Sequence, residues 1–126
     1  MNNVSQYAFY GSLRKGMYNF EIYKDHLQYV STQTLQGFRL YALEYYPIAV
    51  RTEESQDIIT VELFKITDST TEINIHNLEI EAGYYFERIK VNGYETGIYL
   101  FEENLNYPLV KSGDWVEYFE KTHSTK

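Results

Sequence analysis

Apolar and polar positions along this 126-residue chain switch between two periods, and each switch marks an element. A short apolar run, Tyr7-Ala8-Phe9, breaks at Tyr10-Gly11-Ser12-Leu13-Arg14-Lys15-Gly16 into residues at helical spacing, Phe20, Tyr23 and Leu27. Strand, glycine turn and helix are expected in that order, with Asn19 suited to cap the helix. Gln28 to Gln36 alternates Tyr29, Ser31, Gln33 and Leu35 against Val30, Thr32 and Thr34, a strand that Gly37 ends. Gly37 to Tyr41 and Tyr46 to Val50 read as further short strands, with Pro47 interrupting the ladder between them. After a polar turn from Arg51 to Asp57, Ile58 to Ile66 is the clearest strand by its β-branched content.

The next stretch, Thr67-Asp68-Ser69-Thr70-Thr71, concentrates N-cap residues. Glu72 to Ala82 follows as a helix that Gly83 is placed to end in a left-handed cap. A rotation of roughly 100° per residue sets Ile75, Leu78 and Ala82 on one stripe, with Glu79 inside its edge and Glu81 pointing elsewhere. A carboxylate so placed loses water, which disfavours its charged form and raises its pKa toward the range useful for proton transfer. Glu72 lies near the same edge and is the rival candidate. Downstream, Gly83 to Val91 and Tyr94 to Phe101 flank Asn92-Gly93, the strongest hairpin signal in the chain. Gly113 to Phe119 fits a closing strand or a short helix, and 121–126 reads as a tail to a single domain over 1–120.

Composition narrows the functions open to this α+β pattern. At 44% hydrophobic residues the chain can enclose one core and one pocket but hardly a second unit. No apolar run approaches a membrane span, and the first residues lack the basic start and apolar stretch of a signal peptide, so a cytoplasmic protein without a membrane partner is expected. Zero cysteines exclude disulfides, thiolate zinc sites and a cysteine nucleophile. The three histidines, His26, His76 and His123, have no metal-ligand spacing, so no metal is expected. A net charge of −7 without a Lys/Arg cluster argues against nucleic acid as a partner. An anionic ligand would then depend on local donors, the turn amides and Arg14. Ser12 sits in no Gly-x-Ser-x-Gly elbow and is better suited to support such a cradle than to act as a nucleophile.

Two segments tie these features to known proteins. Tyr10-Gly11-Ser12-Leu13-Arg14-Lys15-Gly16-Met17-Tyr18-Asn19 resembles, at all ten positions, the Tyr-Gly-(Ser/Thr)-Leu-(Arg/Lys)-x-Gly-x-x-Asn opening of the gamma-glutamylcyclotransferase-like (AIG2-like) family. Ile75-His76-Asn77-Leu78-Glu79 resembles its Leu-Asp-x-(Leu/Ile)-Glu, whose last residue is regarded as the general acid/base. Gly-aromatic-x-Leu-Tyr and Tyr-Pro-x-x-Val segments are matched by Gly37 to Tyr41 and Tyr46 to Val50. Three positions depart from the pattern: His76 stands where relatives carry Asp, Val61 where they carry Gly, and Phe86 where a Tyr precedes x-Arg. Val61 suggests a narrowed or displaced pocket, and Tyr84 or Tyr85 is left to supply the missing phenol.

The resemblance implies a compact mixed β-barrel flanked by helices, in which a γ-glutamyl compound cyclises to 5-oxoproline and releases its amine or amino acid. Glu79 would carry the proton, and Tyr10, Gly11, Ser12, Leu13, Arg14 and Tyr84 or Tyr85 would bind substrate, Arg14 either bracing the loop or meeting a carboxylate. No cofactor is implied. Two other classes fit the same residues: a module that binds such a ligand without turnover, and a purely structural interaction protein.

Overall fold

Strand β1 (Gln6–Phe9) runs through the middle of the protein with all four residues buried: the apolar Tyr7, Ala8 and Phe9 are covered on both faces, and the Gln6 amide donates to Thr96 Oγ1 at 3.0 Å. The computed structural model describes residues 2–103 and 106–123. Further strands are β2 (Leu27–Gln36), β3 (Phe38–Ala42), β4 (Pro47–Arg51), β5 (Ile58–Ile66), β6 (Tyr85–Val91) and β7 (Tyr94–Leu100). Five of them form one sheet in the order β2-β5-β1-β7-β6, in which β1 is antiparallel to β5 and parallel to β7. The strand expected at Ile58 to Ile66 and the hairpin across Asn92-Gly93 both form.

The barrel implied by the resemblance is not closed. β3 and β4 pair only with each other, and isolated bridges, Val50 with Phe101 and Tyr41 with Leu109, tie that hairpin to the rest. Single bridges do not continue a ladder, so β2 and β6 remain the outer strands of an open sheet. Pro47 does not interrupt this hairpin; it opens β4 opposite Ala42, at a strand start where a missing N–H is tolerated.

The core lies between the sheet, this hairpin and the helices, and is filled by Ile59, Val61 and Leu63 of β5, Ile98 and Leu100 of β7, Leu40, Ile48 and Trp115. Trp115 begins α3 (Trp115–Thr122), capped by Asp114, so the segment that fitted strand or helix is a helix. It runs two residues past the expected domain end, and the remainder of the expected tail, 124–126, lies outside the described residues.

Helix α1 (Tyr18–Tyr23) starts after Met17 without a side-chain cap. Asn19 does not cap it: its amide donates instead to Ser12 Oγ at 2.8 Å. Helix α2 (Ser69–Glu81) is capped by Asp68, whose carboxylate accepts from the Thr71 N–H at 2.9 Å. Its fully buried positions are Thr71 and Ile75; Leu78 is half-buried and Ala82 is exposed, so the apolar stripe is shorter than its spacing suggests. No helix among the described residues is long and apolar enough to cross a membrane.

Candidate functional site

The turn after β1 is held firmly by bonds that leave part of its backbone unpaired. The Ser12 carbonyl accepts from the N–H groups of Asn19 and Phe20 at 3.1 and 3.0 Å, and the Gly11 carbonyl accepts from Arg14 at 3.0 Å. Beneath it the buried carboxylate of Glu62 on β5 accepts from Arg14 Nε at 2.9 Å and from the Lys15 N–H at 2.7 Å. Among the described residues, no protein group accepts from the N–H groups of Gly11, Ser12 or Leu13. Unpaired amides grouped in one turn form an anion-binding concavity when they share a cavity wall.

They do share one. Gly11, Ser12 and Leu13 line an inner cavity of about 30 Å³ with Ala8, Phe9, Tyr10, Pro47, Glu79, Tyr84 and Tyr99. That volume takes a water or a single small polar group, not a whole ligand. A second hollow of about 180 Å³ adjoins it through Ser12, Glu79 and Tyr84 and is completed by Tyr18, Asn19, Tyr46, Leu78 and Ala82. A wider surface hollow, about 580 Å³ and bounded by Leu43, Tyr45, Tyr107 and Tyr118, includes neither Glu79 nor the turn.

Glu79 stands at the junction of the two connected cavities. Its carboxyl has no hydrogen-bond or ion-pair partner among the described residues, and burial pushes its pKa up to about 7. Some of its surface still reaches solvent through the outer hollow, while protein walls surround the rest. A carboxyl poised near neutrality can take up and release a proton within one reaction cycle. Its charge is felt by the phenols of Tyr10, Tyr18, Tyr84 and Tyr99, all of which are raised mainly by their own desolvation. Two of these phenols are engaged with backbone. Tyr10 donates to the Tyr99 carbonyl at 2.5 Å and accepts from the Ala49 N–H at 3.2 Å, and Tyr84 donates to the Pro47 carbonyl at 2.5 Å.

Gly11 is required for a reason its sequence context does not give. Its φ is not positive; a Cβ there would lie 2.7 Å from Pro47 Cδ and 2.9 Å from Cγ. The residue serves close approach of the turn to β4, not conformational freedom.

The structure thus brings Tyr10, Gly11, Ser12, Leu13, Glu79 and Tyr84 to one cavity and leaves two candidates elsewhere. Arg14 lines neither cavity; its buried guanidinium pairs with Glu62 and with Asp114 at 2.7 Å, bracing the loop. Tyr85 borders a separate hollow with Gly83, Phe101, Glu102 and Glu103. Val61 is fully buried in the core and lines neither cavity, so it does not narrow the site. Glu72 accepts from the Tyr7 hydroxyl at 2.5 Å, and neither cavity includes it. Sequence reasoning missed Pro47, Tyr99, Tyr18 and Tyr46 as walls. Tyr18 lies within the Tyr10 to Asn19 motif and Tyr46-Pro47 in a second matched segment, read as an interrupted strand.

Comparisons with known proteins agree with this fold. A family model described as gamma-glutamyl cyclotransferase, AIG2-like, matches residues 7–117. An uncharacterised protein from Pyrococcus horikoshii is 26% identical with a TM-score of 0.77, over 96% of this chain and 98% of that one. A uropathogenic E. coli-specific protein shares the fold at 20% identity and a TM-score of 0.77, over 96% and 98% of the two chains. An AIG2-like protein of Mus musculus shares it at 15% identity and a TM-score of 0.65, over 86% of each. No curated protein matches the chain in sequence.

Proposed function

This chain belongs to the AIG2-like gamma-glutamyl cyclotransferase family, and from that premise we propose that it cyclises a γ-glutamyl amine to 5-oxoproline with Glu79 as general acid/base. The observation that carries the reading is an unpaired carboxyl, poised at about 7, in a cavity it shares with three unpaired backbone amides.

Glu79, ionised, takes a proton from the substrate α-ammonium. The freed amine attacks the γ-carbonyl carbon, a C–N bond forms, and negative charge develops on the carbonyl oxygen. Amides of the Gly11 turn hold either that oxyanion or the glutamyl carboxylate. When the original amide C–N bond breaks, Glu79 returns its proton to the departing nitrogen and the newly bonded ring nitrogen loses its extra proton to the released amine, so 5-oxoproline and an ammonium ion leave and the carboxylate is restored. Nucleophile and electrophile belong to one molecule, and the two adjoining cavities need only hold it folded, which can remove several kcal/mol of barrier.

The walls also favour one kind of leaving group. The outer hollow offers Tyr18, Tyr46, Leu78, Ala82 and Tyr84, and neither cavity contains a Lys, Arg or His. A second carboxylate on the departing group would have no cation to meet there, so an alkyl- or arylamine suits the site better than an α-amino acid. Incubating the protein with paired γ-glutamyl amines and γ-glutamyl amino acids, and assaying 5-oxoproline, tests both statements. Binding without product would turn the reading to a ligand-binding module.

A further inference from the structure

Helix α2 grips the sheet through two of its polar residues. Glu72 holds the hydroxyl of Tyr7 on β1, and one turn later His76 Nδ1 shares a 2.8 Å hydrogen bond with the hydroxyl of Tyr99 on β7. The two tyrosine rings lie nearly parallel, 5° apart in plane with centroids 6.3 Å apart. Asn2 sits between their hydroxyls, its Nδ2 donating to Tyr7 at 2.8 Å and to Tyr99 at 3.4 Å. Asn2 thus donates into the Tyr99 hydroxyl, which also bonds His76 Nδ1, the imidazole tautomer deciding which of the two donates. The His76 ring also packs edge-on against Phe86, centroids 6.2 Å apart.

Tyr99 connects this network to the site. It lines the inner cavity with Glu79, and its carbonyl accepts from the hydroxyl of Tyr10, another residue of that cavity. His76 lies three residues before Glu79, so both project from adjoining parts of one helix face. A bond from His76 to Tyr99 therefore fixes the distance between the helix that carries Glu79 and the strand that closes the cavity behind it.

We propose that His76 is a positioning residue for this site, holding Tyr99 against the inner cavity so that water is excluded from Glu79 and its carboxyl is kept in place. The inference rests on Glu79 being the working carboxyl, but its test does not require turnover. His76 lines neither cavity and acts through the Tyr99 hydroxyl. The titratable groups that share the two cavities with Glu79 are Tyr10, Tyr18 of α1, Tyr46, Tyr84 and Tyr99 of β7, all phenols, and His76 lies three residues before it on α2. A change in the Glu79 midpoint shared by His76→Phe and Tyr99→Phe would then report hydration or position of the carboxyl, because Tyr99→Phe leaves the imidazole in place.

The experiment is an NMR titration of the Glu79 side-chain carboxyl carbon in the whole protein, in wild type, His76→Phe, His76→Gln and Tyr99→Phe, with melting temperature and 5-oxoproline formation measured alongside. His76→Phe keeps a ring against Phe86 and loses the bond, and Tyr99→Phe keeps the cavity wall and loses the same bond from the other side. Both should lower the Glu79 midpoint by half a unit or more, on the order of what partial rehydration of a buried carboxyl gives. Turnover should fall about ten- to a hundredfold, the range for a displaced catalytic group. His76→Gln, which can still bond the hydroxyl, should restore both. An unchanged midpoint in His76→Phe and Tyr99→Phe overturns the proposal, as does a His76→Gln variant no better than His76→Phe. Should His76→Phe not fold, Tyr99→Phe against His76→Gln decides the same question. A restored midpoint without 5-oxoproline from any variant or from wild type would support the positioning role and reject the cyclisation.

Discussion

The Tyr84 N–H donates to the Glu79 carbonyl at 3.1 Å, and the Gly83 N–H to the Ile80 carbonyl at 3.0 Å, with Gly83 at φ +104°. This is a Schellman cap, and it joins two cavity residues through the end of one helix. The helix stop therefore also aims Tyr84 at the cavity, where its hydroxyl reaches Pro47. Gly83→Ala should be doubly unfavourable, because φ is positive and a Cβ would sit 3.0 Å from the Phe101 ring. A loss of about 1–2 kcal/mol is expected, read from urea unfolding. The variant should also lose more ligand affinity than another surface change of equal stability cost.

Glu79→Gln should leave a folded protein that binds a γ-glutamyl amine but loses about 10²- to 10⁴-fold in turnover. Glu81→Gln, on the exposed side of the same helix, is the matching control and should be near wild type. Glu72→Gln is not a neutral control, since Glu72 holds Tyr7. In wild type, activity should fall on the acid side with an apparent pKa near the value of about 7 imposed on Glu79 by burial. Retention of more than about a tenth of the activity by Glu79→Gln would rule out this carboxyl as the proton carrier.

The same burial makes a stability prediction of definite sign. The folded protein holds the Glu79 proton more tightly than the unfolded chain, whose carboxyl titrates near 4.5, so the penalty for ionising it is absent below that pH and complete above about 7. Between those limits, stability from this group falls as pH rises, by on the order of 3 kcal/mol. Glu79→Gln has no such penalty. Urea unfolding at pH 5 and pH 8 should show the variant gaining on wild type at the higher pH; a gap that does not change with pH would mean the carboxyl is not desolvated.

Arg14 carries the most severe stability effect among the candidate residues. Its guanidinium neutralises the buried Glu62 carboxylate, so Arg14→Leu leaves that charge unpaired, a loss of about 3–5 kcal/mol. Adding Glu62→Gln should recover part of it by removing the stranded charge. A double variant no more stable than Arg14→Leu would show that the Asp114 contact, not Glu62, is what the arginine serves.

What was legible in the sequence is what neighbours decide. The β-branched run of β5, the Asn92-Gly93 hairpin, the Gly83 helix stop and the helix bearing Glu79 all depend on contacts within a few residues, and all can be read from spacing. The remainder depends on partners far along the chain. Arg14 meets carboxylates 48 and 100 residues away, and Gly11 is set by the ring of Pro47. The openness of the sheet is likewise invisible locally, because no residue of β3 or β4 announces that its hairpin will pair with itself. Asn19 shows the same limit at short range: it lies within the first turn of α1, not at its cap, and its amide donates to Ser12 Oγ instead.

The inner and outer cavities are built from parts of unequal firmness. The inner walls come from the central strand β1, from Pro47 and from α2, whereas Tyr18 and Asn19 of the outer wall belong to α1, a six-residue helix with no fully buried side chain. Local opening of such a segment exposes little apolar surface and so lies at the low end of the free-energy scale for native-state fluctuations. Ligand entry can then proceed by fraying of α1 while the Glu79 wall stays shut. In hydrogen exchange, amides of α1 should open orders of magnitude more often than those of β1, so an occupant of the outer cavity meets a yielding door set in a rigid frame.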